Sequence, residues 1–204
     1  MFTGIIREVG TLLSRRDAGD TYLRIGCRRA TETIEIGASI ACNGICLTVM
    51  ETGTDNGQNW FEVAASAETK SKTTLSGWQP GQRINLEPSL RLGDEMGGHI
   101  VSGHVDGVGE ITTIRPDGDS HRLSLRAPAA LAKFIANKGS VCVDGISLTV
   151  NEVEDDTGGT TFGVSITPHT WVVTSLAGAE PGGRVNLEID LMARYVARLN
   201  EMAS

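Results

Sequence analysis

The sequence predicts an all-β protein made of two copies of one small barrel, followed by a C-terminal helix. The main observation is an internal repeat, because NGICLTV at 43–49 returns as DGISLTV at 144–150. A period of about 100 residues indicates a duplicated domain, since the units of a solenoid are only about 20–50 residues long. Twenty-five glycines and many runs of Val, Ile and Thr favour short strands joined by tight turns.

The repeat extends over most of both halves. PGQRINLE at 80–87 returns as PGGRVNLE at 181–188, and TGIIREVG at 3–10 matches SGHVDGVG at 102–109. We place the boundary between Gly93 and Gly98. The predicted units are a first barrel over 1–97, a second over 98–188 and a helical tail over 189–204.

Turn signals divide each copy into short segments. They include DNG at 55–57, PG at 80–81, DG at 117–118 and GG at 158–159. Segments of about four to eight residues between such signals are typical of a sandwich or a closed Greek-key barrel. One internal helix is expected in APAALAKFIANKG at 127–139, where Leu131, Phe134 and Ile135 form a stripe and Gly139 stands at the C-cap.

The tail DLMARYVARLNEM at 190–202 predicts a second helix, with Asp190 as its N-cap. Its apolar residues recur at helical spacing and form one stripe: Met192, Tyr195, Val196 and Leu199. No third barrel remains to cover this stripe. We therefore expect it to pack on copies of itself, with docking on the chain's own second barrel as the alternative.

Composition limits the possible partners. A net charge of -7 and the lack of any basic cluster argue against nucleic acid. No apolar run approaches the roughly 20 residues that span a bilayer, and MFTGIIREVG does not resemble a signal peptide. We expect a cytoplasmic protein that binds a small molecule. Its four cysteines lack C-x-x-C spacing, and His99 and His104 lack a metal-site pattern, so we expect reduced thiols and no metal.

The repeated strand carries polar groups on one face. Side chains alternate along a strand, so Cys46 and Thr48 point away from the apolar residues between them. Ser147 and Thr149 do the same in the second copy. Two such groups on one face suit the edge of a flat polar ring. The alternative is that these groups only satisfy neighbouring strand or turn atoms.

The differences between the copies collect at polar positions. The pairs are Asn43 and Asp144, Cys46 and Ser147, Ile5 and His104, and Glu68 and His169. Similar scaffolds with unequal polar groups predict two sites for similar ligands in different chemical roles.

Over essentially the whole chain, the sequence resembles the riboflavin synthase family. The resemblance lies in MFTGII, the NGICLTV and DGISLTV pair, the junction GDEMGGHIVSGHVDG, and the paired ET and HT segments. It implies two six-stranded Greek-key barrels, no cofactor, and a homotrimer assembled by the C-terminal helix. The active site would lie between the first barrel of one chain and the second barrel of a neighbour. Association with lumazine synthase is left open.

The implied reaction is the last step of riboflavin biosynthesis. Two molecules of 6,7-dimethyl-8-ribityllumazine dismutate, and one transfers a four-carbon unit to the other. The products are riboflavin and 5-amino-6-(D-ribitylamino)uracil. Both substrates are the same molecule, which is consistent with two nearly equal pockets.

The resemblance also implies the residues that bind substrate. The first pocket would use Gly4, Ile5, Ile6, Cys46, Leu47, Thr48 and a strand of Ala64, Ala65, Ser66, Ala67, Glu68 and Thr69. The second would use Gly103, His104, Val105, Lys138, Ser147, Leu148, Thr149 and a segment of Ser165, Ile166, Thr167, Pro168, His169 and Thr170. Phe2 and Thr3 are expected to cover the ring system.

The chemistry assigns a candidate role to five of these residues. His104 is a candidate base or proton shuttle, because imidazole titrates near neutrality; the alternative is a turn histidine packed on the barrel rim. Asp144 and Ser147 would polarise a water or stabilise an anion, and Lys138 would add a cation. Cys46 has no paired base and is interpreted as a polar wall. Holding the two rings together should supply most of the rate.

The main alternative function is a nonenzymatic lumazine- or flavin-binding antenna protein with the same two barrels. Such a protein needs only one competent pocket. The second copy here retains His104, Asp144, Ser147 and Thr149, which favours the enzyme. An oligonucleotide-binding barrel is disfavoured by the acidic charge and the scarcity of aromatic stacking residues.

Overall fold

The first half of the chain forms a closed six-stranded barrel, as predicted, in a computed structural model that describes residues 1–203. Its strands are β1 (Glu8–Ala18), β2 (Asp20–Cys27), β3 (Ser39–Cys42), β4 (Ile45–Asp55), β5 (Gln58–Ala65) and β6 (Arg83–Pro88). They pair antiparallel in the order β1-β2-β5-β4-β3-β6. Helix α1 (Ala67–Lys72) follows β5, and single 3-10 turns lie at Thr31–Thr33 and Thr74–Gly77.

The second half repeats this barrel with the same strand order. Its strands are β7 (Gly107–Asp117), β8 (Ser120–Pro128), β9 (Ser140–Val143), β10 (Ile146–Asp156), β11 (Gly159–Ile166) and β12 (Arg184–Ile189). Its helices are α2 (Ala129–Ala132), α3 (Pro168–Val173) and a 3-10 turn at Ser175–Gly178. The tail forms α4 (Leu191–Ala203). Within residues 1–203, no helix combines the length and apolarity needed to cross a bilayer.

Side chains alternate along the repeated strands as predicted, with apolar residues inside the barrel and polar residues outside. Ile45, Leu47 and Val49 are buried inside the first barrel, whereas Cys46 is half-buried and Thr48 is exposed on its outer face. β10 has the same pattern. Each side chain placed inside contributes about 1.5–3 kcal/mol by leaving water, which fixes the register of the strand.

The helix expected over 127–139 is much shorter than predicted. Only Ala129–Ala132 is helical, and the chain continues in tight turns in which Phe134 N–H donates to Leu131 O and Ile135 N–H donates to Ala132 O. Leu131 and Ile135 are both buried in the barrel core. The chain then turns at Lys138, whose φ of 66° is left-handed and whose N–H donates to Val150 O at 2.8 Å. The predicted C-cap at Gly139 is therefore wrong, because the helix already ends with Lys133 as its C-cap.

The segment 64–69 is not a continuous strand, so that expectation is wrong, and the matching segment 165–170 is divided in the same way. β5 ends at Ala65, and α1 begins after Ser66, whose Oγ accepts a hydrogen bond from Thr69 N–H at 3.2 Å. In the second copy Thr167 caps α3, accepting from Thr170 N–H at 3.4 Å. A side-chain cap three residues before a free N–H stops the strand and starts a helix.

The C-terminal helix begins where the sequence predicted. Met192 N–H donates to the carboxylate of Asp190 at 2.8 Å. Arg194 bonds both carboxylate oxygens of Asp106 at 2.8 and 2.9 Å, and Lys133 pairs with Glu201, so the helix lies along its own second barrel. The apolar stripe is still uncovered, with every member at least 53% exposed. These residues are Met192, Tyr195, Val196 and Leu199.

The two barrels are joined by reciprocal hydrogen bonds. Asn85 on β6 donates its side-chain amide to Asp144 O, and Asn186 on β12 donates to Asn43 O, each at 2.9 Å. In return, Asn43 Oδ1 accepts from Asn85 N–H at 2.7 Å and Asp144 Oδ1 accepts from Asn186 N–H at 2.8 Å. These four buried residues fix the orientation of one barrel on the other.

Candidate functional site

Two outer faces, one on each barrel, carry the polar pairs that the sequence singled out. Cys46 and Thr48 lie on β4, and Ser39 on β3 stands opposite Thr48 in the ladder. On the second barrel, Ser147 and Thr149 lie on β10. Four residues expected in the pockets point into the barrels instead, so only their backbone is available there. These are Leu47, Ala65, Leu148 and Ile166.

Two chain segments cross from their own barrel to the other one. Gly4 O accepts a hydrogen bond from Ser147 N–H at 2.8 Å, and Ile6 packs against the second core. Gly103 O accepts from Cys46 N–H at 2.8 Å, and Val105 packs against the first core. The expected grouping is therefore wrong. Residues 4–6 lie beside the polar face of the second barrel, and residues 103–105 lie beside that of the first.

Each crossing segment is held by a glutamate that sequence reasoning missed. Glu87 on β6 accepts from Thr3 N–H and Oγ1–H at 2.8 Å and from Gly4 N–H at 2.9 Å. Glu188 on β12 accepts from Ser102 N–H and Oγ–H at 2.6 and 2.7 Å and from Gly103 N–H at 2.9 Å. Burial raises the pKa of both carboxyls, and these hydrogen bonds oppose the rise. The available signal was the NLE that closes both copies of the repeat.

The crossings leave no space for side chains at two glycines. A Cβ on Gly103 would lie 2.5 Å from Cys46 Cβ, and a Cβ on Gly4 would lie 2.6 Å from Ser147 Cβ. Both glycines have left-handed φ values, 79° and 75°. Only glycine brings the backbone this close to the polar face of the other barrel.

Phe2 and Thr3 do not cover a pocket, so that expectation is wrong. Both have 0% exposure. Phe2 exchanges two backbone hydrogen bonds with Val101, at 2.8 and 3.1 Å, and packs with Ala41 and Cys142 between the barrels. A large apolar side chain at the start of the chain is thus used to close the contact between the two halves.

The second polar face contains a histidine hydrogen-bonded to a serine. His99 Nδ1 lies 2.7 Å from Ser147 Oγ, while its Nε2 is buried without a hydrogen-bond partner among residues 1–203. Burial lowers the pKa of His99 and favours the neutral ring. Cys46, at the place of Ser147 in the first copy, has no comparable histidine bonded to it. Sequence reasoning considered His99 only as a metal ligand and missed this contact.

Lys138 and His104 lie on different barrels. Lys138 has φ 66° where the first copy has Gly37 with φ 88°, and the N–H of each donates to a strand carbonyl at 2.8 Å. A lysine in this conformation costs about 1–2 kcal/mol, which is typical of functional positions. His104 is exposed and follows Gly103 over the first barrel. The expected set of His104, Lys138 and Ser147 is therefore not assembled within one chain.

Asp144 lies between the barrels, away from both polar faces. Its carboxylate receives Asn186 N–H, and its backbone φ of 45° matches the 44° of Asn43. Burial raises the pKa of Asp144 to about 7. This position indicates a structural role and not the polarisation of a water. His169 and Glu68 stand exposed in the first turns of α3 and α1.

Replacing Asp144 by Asn should flatten the dependence of stability on pH. Between the ordinary pKa of 3.8 and about 7, the folded chain retains a proton that the unfolded chain releases, so the free energy of unfolding falls as pH rises. Asn43 already fills the equivalent place. We expect Asp144→Asn to be more stable at pH 8 by about 1–4 kcal/mol, with little change at pH 4.

Urea denaturation at pH 4, 6 and 8 measures this effect, with the exposed Asp119→Asn as the control. Parallel stability curves for Asp144→Asn and the parent chain would show that Asp144 does not titrate in this way.

No three His, Cys, Asp or Glu side chains in residues 1–203 lie close enough together to hold a metal ion. The four cysteines are free thiols. Burial raises the pKa of Cys42 and Cys142 well above the usual thiol range and that of Cys27 to about 11. The half-buried Cys46 is the cysteine with access to a polar face.

Comparison with known proteins gives one family for both halves. The model of the lumazine binding domain matches residues 3–89 and 102–190. Riboflavin synthase of Brucella abortus is 50% identical over 202 residues, covering 98% of each chain. That of Bacillus subtilis is 40% identical over 205 residues, covering 100% of this chain and 92% of the other.

Solved structures give the same fold. LumP complexed with riboflavin superposes with a TM-score of 0.80 at 22% identity, covering 93% of this chain and 99% of that one. LumP complexed with 6,7-dimethyl-8-(1'-D-ribityl) lumazine gives a TM-score of 0.78 over the same shares of the two chains.

Proposed function

The chain belongs to the riboflavin synthase family, and from this premise we propose how its two pockets share the reaction. The chain catalyses the dismutation of two molecules of 6,7-dimethyl-8-ribityllumazine to riboflavin and 5-amino-6-(D-ribitylamino)uracil. The observation that carries this function is the 50% sequence identity to a riboflavin synthase over 98% of the chain, which includes both repeats. Two copies of one scaffold suit a reaction between two identical substrates.

Incubation of the purified chain with dimethylribityllumazine tests the function. We expect one riboflavin and one ribitylaminouracil for every two lumazines consumed, without added cofactor or metal. Tight binding of lumazine or riboflavin without turnover would instead identify a nonenzymatic antenna protein, the second candidate.

We assign part of the acid–base chemistry to the second pocket. The assignment is supported by the 2.7 Å contact of His99 Nδ1 with Ser147 Oγ and by the burial that keeps this ring neutral. With its proton on Nε2, His99 accepts the Ser147 hydroxyl proton, and Ser147 then polarises a water or adds to the electron-poor ring. The first pocket, with Cys46 and Thr48, holds the second lumazine beside it.

His104 and Lys138 complete the proposed site from two different barrels. His104 lies over the first barrel, beside Cys46, and acts there as the base that removes a proton from the 7-methyl group. Lys138 lies over the second barrel and stabilises the resulting anion. Bringing both to one pair of stacked lumazines requires the first barrel of one chain to face the second barrel of another.

Lys138→Gly should separate activity from stability. Glycine adopts φ 66° without strain but adds freedom to the unfolded chain, so the free energy of unfolding should change by less than about 1 kcal/mol. Turnover should fall by about 10- to 100-fold, because the cation is lost. Lys138→Met, which removes only the charge, should lose the same activity. Full activity in both variants would mean that the ammonium group of Lys138 serves no catalytic purpose.

We further propose a homotrimer in the cytoplasm, with α4 at the contact between chains. The trimer is supported by the uncovered stripe on a helix whose polar side is already docked through Arg194 and Asp106. The cytoplasm is supported by four unpaired cysteines, since thiols persist in reducing compartments.

Deleting the residues after Asp190 should give monomers with little activity, because each composite site needs a neighbouring chain. Sedimentation velocity measures the assembly, and lumazine turnover measures the site. A matched Arg194→Ala variant loses the docking ion pair but keeps the stripe, and we expect it to remain assembled. A truncated chain that still sediments as a trimer would contradict the assignment of α4.

A further inference from the structure

A cavity of about 690 Å³ opens on the first barrel, between the loop that carries the Thr31–Thr33 turn and the chain leaving β6. Three arginines line it: Arg7, Arg29 and Arg91. Among residues 1–203, none of the three guanidinium groups donates a hydrogen bond or joins an ion pair. Three positive charges at one opening, against the two carboxylates that line it, favour an anion.

The same place on the second barrel is occupied by protein. There α4 follows β12 directly, and Arg194 bonds the carboxylate of Asp106 at 2.8 and 2.9 Å. Arg7 stands in the first repeat where Asp106 stands in the second. The first barrel therefore has no counterpart of α4 at this place, and it carries an arginine where the second barrel carries an aspartate. The result is an open and basic groove.

Hydroxyl donors complete the lining. Ser39 and Ser89 border the cavity with the arginines, and guanidinium groups with hydroxyls form a donor set that suits phosphate oxygens. Thr33 also lines the cavity, but its hydroxyl already donates to Ala30 O at 2.7 Å. Two carboxylates, Glu35 and Asp94, also line it. Asp94 already accepts Arg91 N–H at 2.8 Å within its turn.

We propose that this cavity binds a phosphate dianion. Ser39 links the cavity to the first pocket, because it stands opposite Thr48 in the β3–β4 ladder. The dianion is either free inorganic phosphate or the phosphoryl end of a flavin nucleotide whose ring lies in the first pocket. The first source is independent of the proposed function, and the second rests on it. A cavity of this size holds more than a bare ion.

Calorimetric titration with inorganic phosphate, riboflavin and flavin mononucleotide tests the site, at constant ionic strength set with sodium chloride. The variants are Arg29→Gln and Arg91→Gln, with Arg91→Lys as the charge-retaining variant. Arg115→Gln, an exposed arginine on the second barrel, is the control. Each lost charge-assisted hydrogen bond should weaken phosphate or nucleotide binding by about 10- to 100-fold, while riboflavin affinity stays the same.

The outcomes distinguish the two sources. Flavin mononucleotide binding tighter than riboflavin, with the difference lost in Arg29→Gln, supports the nucleotide. Saturable phosphate binding that the same variants abolish, without a preference for the nucleotide, supports free phosphate. Phosphate and nucleotide affinities in Arg29→Gln and Arg91→Gln equal to those in Arg115→Gln would overturn the proposal. Lumazine turnover on the same samples tests the proposed function separately.

Discussion

Thr48→Trp and Thr149→Trp chains, each almost inactive alone, should regain activity when they are unfolded and refolded together. An indole on the outer face of β4 or β10 fills the space that the substrate ring needs, without entering the barrel core, because Thr48 and Thr149 are exposed. Each single variant should lose about 100-fold or more in turnover, since every composite site then contains one blocked half.

The recovery follows from the cyclic arrangement of the proposed trimer. A junction is competent when a Thr149→Trp chain offers its intact first barrel to the intact second barrel of a Thr48→Trp chain. Random mixing makes roughly a quarter of the junctions competent, which limits the regained activity. If each site were built within one chain, mixing would restore nothing. A mixture as inactive as its components, with subunit exchange demonstrated, would therefore remove the site between chains.

Glu188→Gln should weaken ligand binding in the first pocket, although Glu188 belongs to the second barrel. Its carboxylate holds Ser102 and Gly103, whose segment crosses onto Cys46. The side-chain amide of glutamine places its own N–H groups against one of these N–H or O–H donors. The segment of Ser102 and Gly103 should therefore shift, and the free energy of unfolding should fall by about 2–4 kcal/mol. Glu87→Gln should have the mirror-image effect, on the second pocket.

Backgrounds with one blocked pocket make this test specific. In the Thr149→Trp chain only the first pocket remains, and there Glu188→Gln should lower lumazine affinity by about tenfold or more while Glu87→Gln should not. In the Thr48→Trp chain only the second pocket remains, and there Glu87→Gln should lower lumazine affinity while Glu188→Gln should not. Glu180→Gln, on an exposed loop, serves as the control. An effect of each glutamate on its own barrel would show that the crossings do not shape the pockets.

The barrels and the polar faces were predictable because they depend on local patterns. The internal repeat predicts the duplicated barrel. The alternation of apolar and polar residues around Cys46 predicts that the Cys46 side chain points out of the barrel. Hydrophobic burial enforces both features, so the periodicity of apolar residues in the sequence is sufficient to predict them. The C-terminal helix was predictable for the same reason, since its cap at Asp190 and its stripe lie within one short segment.

The crossings were not predictable because backbone atoms make them. Gly4 O with Ser147 N–H and Gly103 O with Cys46 N–H carry no side-chain signature, and a comparison of the two repeats aligns each segment with its own barrel. The burial of Phe2 depends on the same contact between halves. The contact of His99 with Ser147 joins residues 48 apart, a separation that no local pattern reveals.

The crossing segments also constrain how such a chain arose. Residues 2–6 have their partner surface on the other repeat, and residues 101–105 have theirs on the first. In a single repeat, the N-terminal segment would therefore have no surface to pack against, and the polar face of the barrel would have no segment bound beside it. A second copy supplies both at once, by a reciprocal exchange of arms about a twofold axis. A lone repeat would therefore be complete only as a domain-swapped pair, and the fusion of two repeats in one chain makes that pairing permanent.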